Sequence, residues 1–137
     1  MKCYNLFLDD IRTPDVAYIY KKEPSYIKES WIVVKNYSDF VQTISDKYAE
    51  GYVPCALSLD HDLTLEHYKI GAIHAFYKFD ESSVTEPTGW HCLRWFLKFC
   101  KTQDLALPKI ILHSQNPAGR INMSALIDEY KKENYGM

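Results

Sequence analysis

Three short apolar runs in this chain each break off into charged or imidazole side chains. Tyr4-Asn5-Leu6-Phe7-Leu8 runs into Asp9-Asp10, Leu57-Ser58-Leu59 into Asp60-His61-Asp62, and Ile110-Ile111-Leu112 into His113-Ser114-Gln115-Asn116-Pro117. Carboxylates gathered at neighbouring strand tips repel one another unless a cation or a proton sits among them. A hard oxygen cluster suits magnesium, which keeps several waters and takes few carboxylates. Asp9, Asp10 and Asp62 are therefore candidate ligands for Mg2+ or another divalent cation; the structural alternative is that Asp9 or Asp10 caps a turn or pairs with Arg12. His61 and His113 stand beside carboxylates that can fix a tautomer and raise a pKa, the setting of a general acid/base pair. Such a pair suits phosphoester cleavage, one group deprotonating the attacking oxygen while the other protonates the leaving one. A single histidine at a strand end is more often a satisfied structural group, so the inference rests on there being two. His67, His74 and His91 lack such company and read as surface or helix residues.

Around the tips lie groups able to hold an anion. Ser114 has no Gly-x-Ser-x-Gly elbow around it, so its hydroxyl is assigned hydrogen bonding rather than nucleophilic attack. Asn116 can orient a substrate oxygen, and Arg120 can clamp a phosphate in a bidentate way or make a surface ion pair. Backbone N–H groups at the start of the last helix would help with the same anion. Arg12 either offsets the acidic pair before it or reaches a phosphate. Tyr18, Tyr20 and Tyr26 lie in a long connection over residues 11–30 that can form a lid stacking on a nucleobase, or an ordinary packed loop.

The elements that must position these residues follow from hydrophobic periodicity. Residues 3–8, 31–35, 55–59 and 109–113 read as strands. A helix opens at Ser38 as N-cap and ends before Gly51. A second runs from Thr88 to about Thr102, with Trp90, Leu93, Phe96, Leu97 and Cys100 on one face. A third runs from Ile121 to Asn134, with Ile121, Ala125, Leu126 and Tyr130 as its buried stripe. Residues 11–30 read as a long connection with at most a helical turn, because Pro14 and Pro24 bracket Val16-Ala17-Tyr18-Ile19-Tyr20 within it. Residues 64–87 read as irregular apart from a short helix over 67–77. Strands alternating with crossovers imply a parallel sheet covered on both faces: a three-layer α/β domain over residues 1–137, of about four strands in the order 2-1-3-4. In such sheets ligands bind outside the carboxyl ends of the strands where the winding direction switches. That rule brings Asp9, Asp10, Asp60, His61 and Asp62 to one crevice, with His113, Ser114 and Asn116 on its flank.

The 137-residue chain carries a net charge of -2, too little positive field to hold duplex DNA. It shows no apolar run of membrane-spanning length and no signal-peptide pattern, so the expected compartment is the cytoplasm. Cys3, Cys55, Cys92 and Cys100 form no CxxC pair and read as buried free thiols, with zinc and disulfides disfavoured.

Leu6-Phe7-Leu8-Asp9-Asp10-Ile11-Arg12-Thr13-Pro14, Asp60-His61-Asp62-Leu63, Pro87-Thr88-Gly89 and His113-Ser114-Gln115-Asn116-Pro117-Ala118-Gly119 resemble, in order and over nearly the whole chain, the motifs of the cyclic-phosphate-processing receiver-like family. The resemblance implies a flavodoxin/receiver-like fold and action on cyclic phosphates in nucleotide signalling or RNA repair. Receivers place an acidic pair after the first strand and a phosphoacceptor aspartate after the third, roles that Asp9-Asp10 and Asp60 fit. His113 stands close to where receivers carry Ser or Thr, and no fifth strand with the usual receiver lysine is visible. Those departures weaken phosphorelay signalling and favour an enzyme. The leading expectation is a phosphoesterase opening a cyclic phosphate of a nucleotide or RNA end, with His61, His113 and Asp60 catalytic and Arg12, Ser114, Asn116 and Arg120 binding phosphate. The alternatives are a non-catalytic receiver-like module that binds a phosphate or nucleotide and signals, and a magnesium-dependent phosphohydrolase with Asp9 as nucleophile, which leaves the histidines without a task.

Overall fold

A computed structural model of the chain describes residues 1–74 and 78–136, the side chains of residues 71–74 excepted. In chain order the elements are β1 (Lys2–Leu8), α1 (Pro14–Lys21), α2 (Ser25–Lys28), β2 (Ile32–Val34), α3 (Tyr37–Ala49), β3 (Tyr52–Leu59), α4 (Leu65–His74), a 3-10 turn (Glu81–Ser83), α5 (Gly89–Gln103), β4 (Lys109–Leu112) and α6 (Pro117–Tyr135). The four strands form one parallel sheet in the order β2-β1-β3-β4, as the strand–crossover pattern predicts. Successive strand residues point to opposite faces. Leu6, Leu8, Leu57 and Leu59 accordingly pack with Phe40 and Ile44 of α3, Leu93, Phe96 and Leu97 of α5, and Met123 of α6. Phe7, Val33 and Ile111 point the other way and are covered by Ala17 of α1, Tyr26 of α2 and Trp31.

Several local expectations are corrected. Residues 11–30 hold two helices, because both prolines sit at helix starts: Pro14 is in the first turn of α1 and Pro24 is the N-cap of α2. A proline at that position loses no intrahelical hydrogen bond. The cap of α3 is Asn36, whose side chain accepts the Asp39 N–H at 2.8 Å, rather than Ser38. β3 begins at Tyr52, where its ladder to Lys2 starts, and the short helix before the 3-10 turn already begins at Leu65 and is described as far as His74; residues 75–77 of the expected 67–77 lie outside the described residues. α6 starts at Pro117 under the Asn116 cap; Ile121 is 56% exposed and Ala125 is exposed, so the inner stripe is Met123, Leu126, Ile127 and Tyr130.

The cysteine expectation holds for half the set. Cys92 and Cys100 are free and buried, but Cys3 and Cys55 form a disulfide. The ladder pairs Tyr4 with Pro54 and then Asn5 with Ala56, so Cys55 is the extra residue of a bulge. Both bridged cysteines are exposed rather than buried. Among the described residues no helix is long and apolar enough to cross a membrane.

Candidate active site

The parallel ladders run one residue past the strand ends. Asp9 N–H donates to the Val34 carbonyl, Asp60 N–H to Leu8 and His113 N–H to Leu59, each at 3.0 Å. Backbone pairing thus sets Asp9, Asp60 and His113 side by side, one at each tip, along the carboxyl edge of the sheet.

One carboxylate oxygen from each of Asp9, Asp10 and Asp60 lies within 4.8 Å of the others. Asp9 is fully buried; its Oδ1 accepts the Ile11 and Arg12 N–H groups at 3.0 and 2.8 Å, and its Oδ2 lies 3.0 Å from His113 Nε2. Burial works against its charge, but the hydrogen bonds from His113 and the two backbone amides hold the carboxyl below its ordinary value. Asp10 accepts from the Tyr68 hydroxyl at 3.0 Å, and burial pushes its carboxyl up. Asp60 differs from both. Its Oδ1 accepts the His61 N–H at 2.8 Å, while its buried Oδ2 has no hydrogen-bond partner. Burial, reinforced by the Asp9 charge and opposed by Arg12, pushes the Asp60 carboxyl up to about 7. The Arg12 guanidinium stands 3.5 Å from Asp9 Oδ2 and 3.8 Å from Asp60 Oδ2, and donates to the Tyr20 hydroxyl at 2.8 Å.

The two histidines belong to separate networks. His113 is stacked on Phe7, with centroids 4.3 Å apart and planes 8° from parallel. Its Nδ1 lies 2.7 Å from Ser58 Oγ, which lies 2.5 Å from the Tyr26 hydroxyl. Burial lowers its pKa more than Asp9 raises it, so the ring is neutral. His61 is also fully buried, but its Nδ1 meets Asp62 Oδ1 at 2.6 Å and its Nε2 meets Glu81 Oε2 at 2.8 Å. Burial opposes the charged ring; the two carboxylates outweigh it and raise the pKa to about 9. Asn116 donates to Asp62, while Thr88 and Asn122 donate to Glu81, completing the network.

The structure therefore separates residues that the sequence grouped. Asp62 is not in the carboxylate trio; Asp60 stands there instead, and Asp62 is occupied by His61 and Asn116. His61 and His113 share no hydrogen bond, and both nitrogens of each ring are engaged inside the protein. Ser114 accepts the Asn116 N–H, Asn116 caps α6, and the Arg120 guanidinium donates to the Ser114 carbonyl and lines a groove along β4. His67 is a helix residue, in α4, but a buried one: its Nδ1 accepts the Leu63 N–H and its Nε2 donates to the Glu86 carbonyl. His91 completes the α5 capping box with Thr88, and the side chain of His74 lies outside the described residues. Tyr26 is packed under the sheet rather than open to a nucleobase.

Sequence reasoning passed over Ser58, Tyr68 and Glu81. Ser58 carried a signal, a hydroxyl in the middle of an otherwise apolar strand, where a buried polar group needs a partner. No curated protein and no solved structure matches the chain. A family model does: the row of strand-tip acids on a 2-1-3-4 parallel sheet sits within residues 4–129, which match the cyclic-phosphate processing receiver domain, and the chain belongs to that family.

Proposed function

We propose that the protein is a phosphoesterase that opens a cyclic phosphate of a nucleotide or RNA end at the strand tips. The observation that carries this reading is Asp60 Oδ2, a buried carboxylate oxygen without a hydrogen-bond partner, facing Arg12 among two further carboxylates. A buried oxygen left without a donor is costly unless a ligand completes it. The donor set fits a hard divalent cation held by Asp9, Asp10 and Asp60. Such a cation supplies charge neutralisation and polarises a phosphoryl oxygen when bound. Arg12, beside Asp9 and Asp60, is placed to hold the phosphate, and Tyr20 orients its guanidinium. Asp60 is the side chain that touches the reacting group. His113 acts on Asp9, and His61 acts through the backbone amide that fixes Asp60 Oδ1, because neither ring has a nitrogen left for substrate.

A screen of cyclic mononucleotides, cyclic oligonucleotides and RNA 2′,3′-cyclic ends, with and without magnesium, tests the proposal. Wild type turns over at least one class, and Asp60→Asn lowers that rate on the order of 100-fold or more with the fold intact. Wild-type rates in the variant would sink the assignment. The same free oxygen also favours the receiver-like reading, in which Asp60 accepts a phosphoryl group. Acetyl phosphate followed by intact-mass measurement separates the two, since that reading requires a stable adduct on Asp60 and no turnover.

A further inference from the structure

We propose that Ser58 and Tyr26 are positioning residues of the strand-tip site, a buried chain of hydroxyl donors that fixes the His113 ring and, through it, the Asp9 carboxylate. This rests on Asp9 being part of the functional site. Tyr26, Ser58, His113 and Asp9 are 3%, 0%, 1% and 0% exposed, so water cannot stand in for any of them. The hydrogens of the chain are determined from its acidic end. A carboxylate only accepts, so the hydrogen at the 3.0 Å contact with Asp9 belongs to His113 Nε2. With the ring hydrogen on Nε2, Nδ1 is the acceptor, and the Ser58 hydroxyl at 2.7 Å points its hydrogen there. A serine has one hydrogen, so the 2.5 Å contact with Tyr26 is donated by the phenol. The direction runs from Tyr26 to Ser58 to His113 to Asp9.

Packing and hydrogen bonding divide the work. Phe7, stacked 4.3 Å away, holds the plane of the imidazole but does not distinguish the ring from its flipped form. A donor at Nδ1 and an acceptor at Nε2, on opposite sides, admit only one. Asp9 is thereby held by three donors: two backbone amides on Oδ1 and the imidazole on Oδ2. Outer partners of this kind orient the groups that meet a ligand or metal. Because Tyr26 belongs to α2, the chain also ties the cover on that face of the sheet to the first strand tip.

The decisive measurements are 15N-resolved NMR of the His113 ring and Mg2+ binding, on wild type, Ser58→Ala and Tyr26→Phe. Wild type is expected to show a slowly exchanging Nε2–H and an unprotonated, hydrogen-bonded Nδ1. Ser58→Ala removes the Nδ1 hydrogen-bond signature, speeds exchange of the Nε2–H, and weakens Mg2+ about tenfold. Tyr26→Phe keeps the aromatic packing and shifts the same readouts in the same direction by less. A wild-type ring protonated on Nδ1 overturns the proposal whatever the variants do. So does a Ser58→Ala protein that melts earlier yet keeps wild-type Nε2–H exchange and Mg2+ affinity, which is the behaviour of a purely structural hydroxyl. If Ser58→Ala does not fold, the wild-type spectrum and Tyr26→Phe decide. Absence of Mg2+ binding in wild type would sink the cation reading of the site while leaving the NMR test of the chain intact.

Discussion

His61 and His113 are both buried at strand tips, yet their surroundings push their pKa values in opposite directions. Burial disfavours the imidazolium of both; what differs is that His113 faces one carboxylate and a hydroxyl while His61 faces two carboxylates. The consequence for stability has a definite sign. The folded pKa of His61, about 9, lies above its ordinary 6.5, so its contribution is fully present below about 6.5 and disappears as pH rises through about 9. Glu81 is shifted the other way: its contribution is present above its ordinary 4.5 and is lost as pH falls through a still lower folded value. Glu81→Gln leaves the His61 cation with one carboxylate and should cost roughly 3 kcal/mol near neutral pH. Urea unfolding of wild type and variant at pH 7 and pH 9.5 should show that gap narrowing at the higher pH. An equal gap at both would mean that His61 is not cationic in the folded protein. The acids and histidines at the tips were legible because each interrupts an apolar run. Glu81 was not, because its partners His61, Thr88 and Asn122 come from three other segments and leave no local pattern around it.

At the scale of elements, the strands and the long helices follow from period and apolar run length, and their parallel order from alternation. α1 and α2 were hidden because a proline reads as a breaker until its place in the first turn is known. How closely α5 and α6 approach the tips was also hidden. A methyl at Gly89 would fall 1.8 Å from the Asp60 carbonyl oxygen, and one at Gly119 would fall 2.4 Å from His61 Cγ. Gly119 therefore does more than turn the chain; it lets α6 lie on a ring that cannot retreat, since both its nitrogens are tied. Gly119→Ala should cost roughly 1–3 kcal/mol through overpacking. Gly89→Ala should cost more, because the obstacle is backbone that also carries the β3 tip. Denaturant midpoints in the order wild type, Gly119→Ala, Gly89→Ala check this, and an alanine at 119 with wild-type stability would contradict the placement of His61.

Across the whole molecule the disulfide and the site occupy opposite ends of the sheet. Cys3 bridges to Cys55 near the start of β1, six residues before Asp9, and at the roughly 3.3 Å rise of a strand residue that is about 20 Å from the acidic row. Spacing could not have paired these cysteines, which lie 52 residues apart; the sheet does, because the bulge between the partners of Tyr4 and Asn5 leaves the Cys55 Cα 5.1 Å from that of Cys3. A bridge closing that length of chain restricts the unfolded state, and loop-closure entropy puts its contribution at roughly 4 kcal/mol at most. Neither Cys3 nor Cys55 takes part in the hydrogen bonds that hold Asp9, Asp10 and Asp60, which come from ladder ends, Tyr68, Arg12 and the His113 chain. Reduction should therefore lower the urea midpoint substantially and leave Mg2+ affinity within about twofold, and Cys3→Ser should reproduce both results without reductant. An unchanged midpoint would mean that the bridge contributes nothing to stability. A large change in Mg2+ affinity would mean that the two ends of β1 are not independent, and that the sheet carries strain from its exposed bulge to the buried carboxylates.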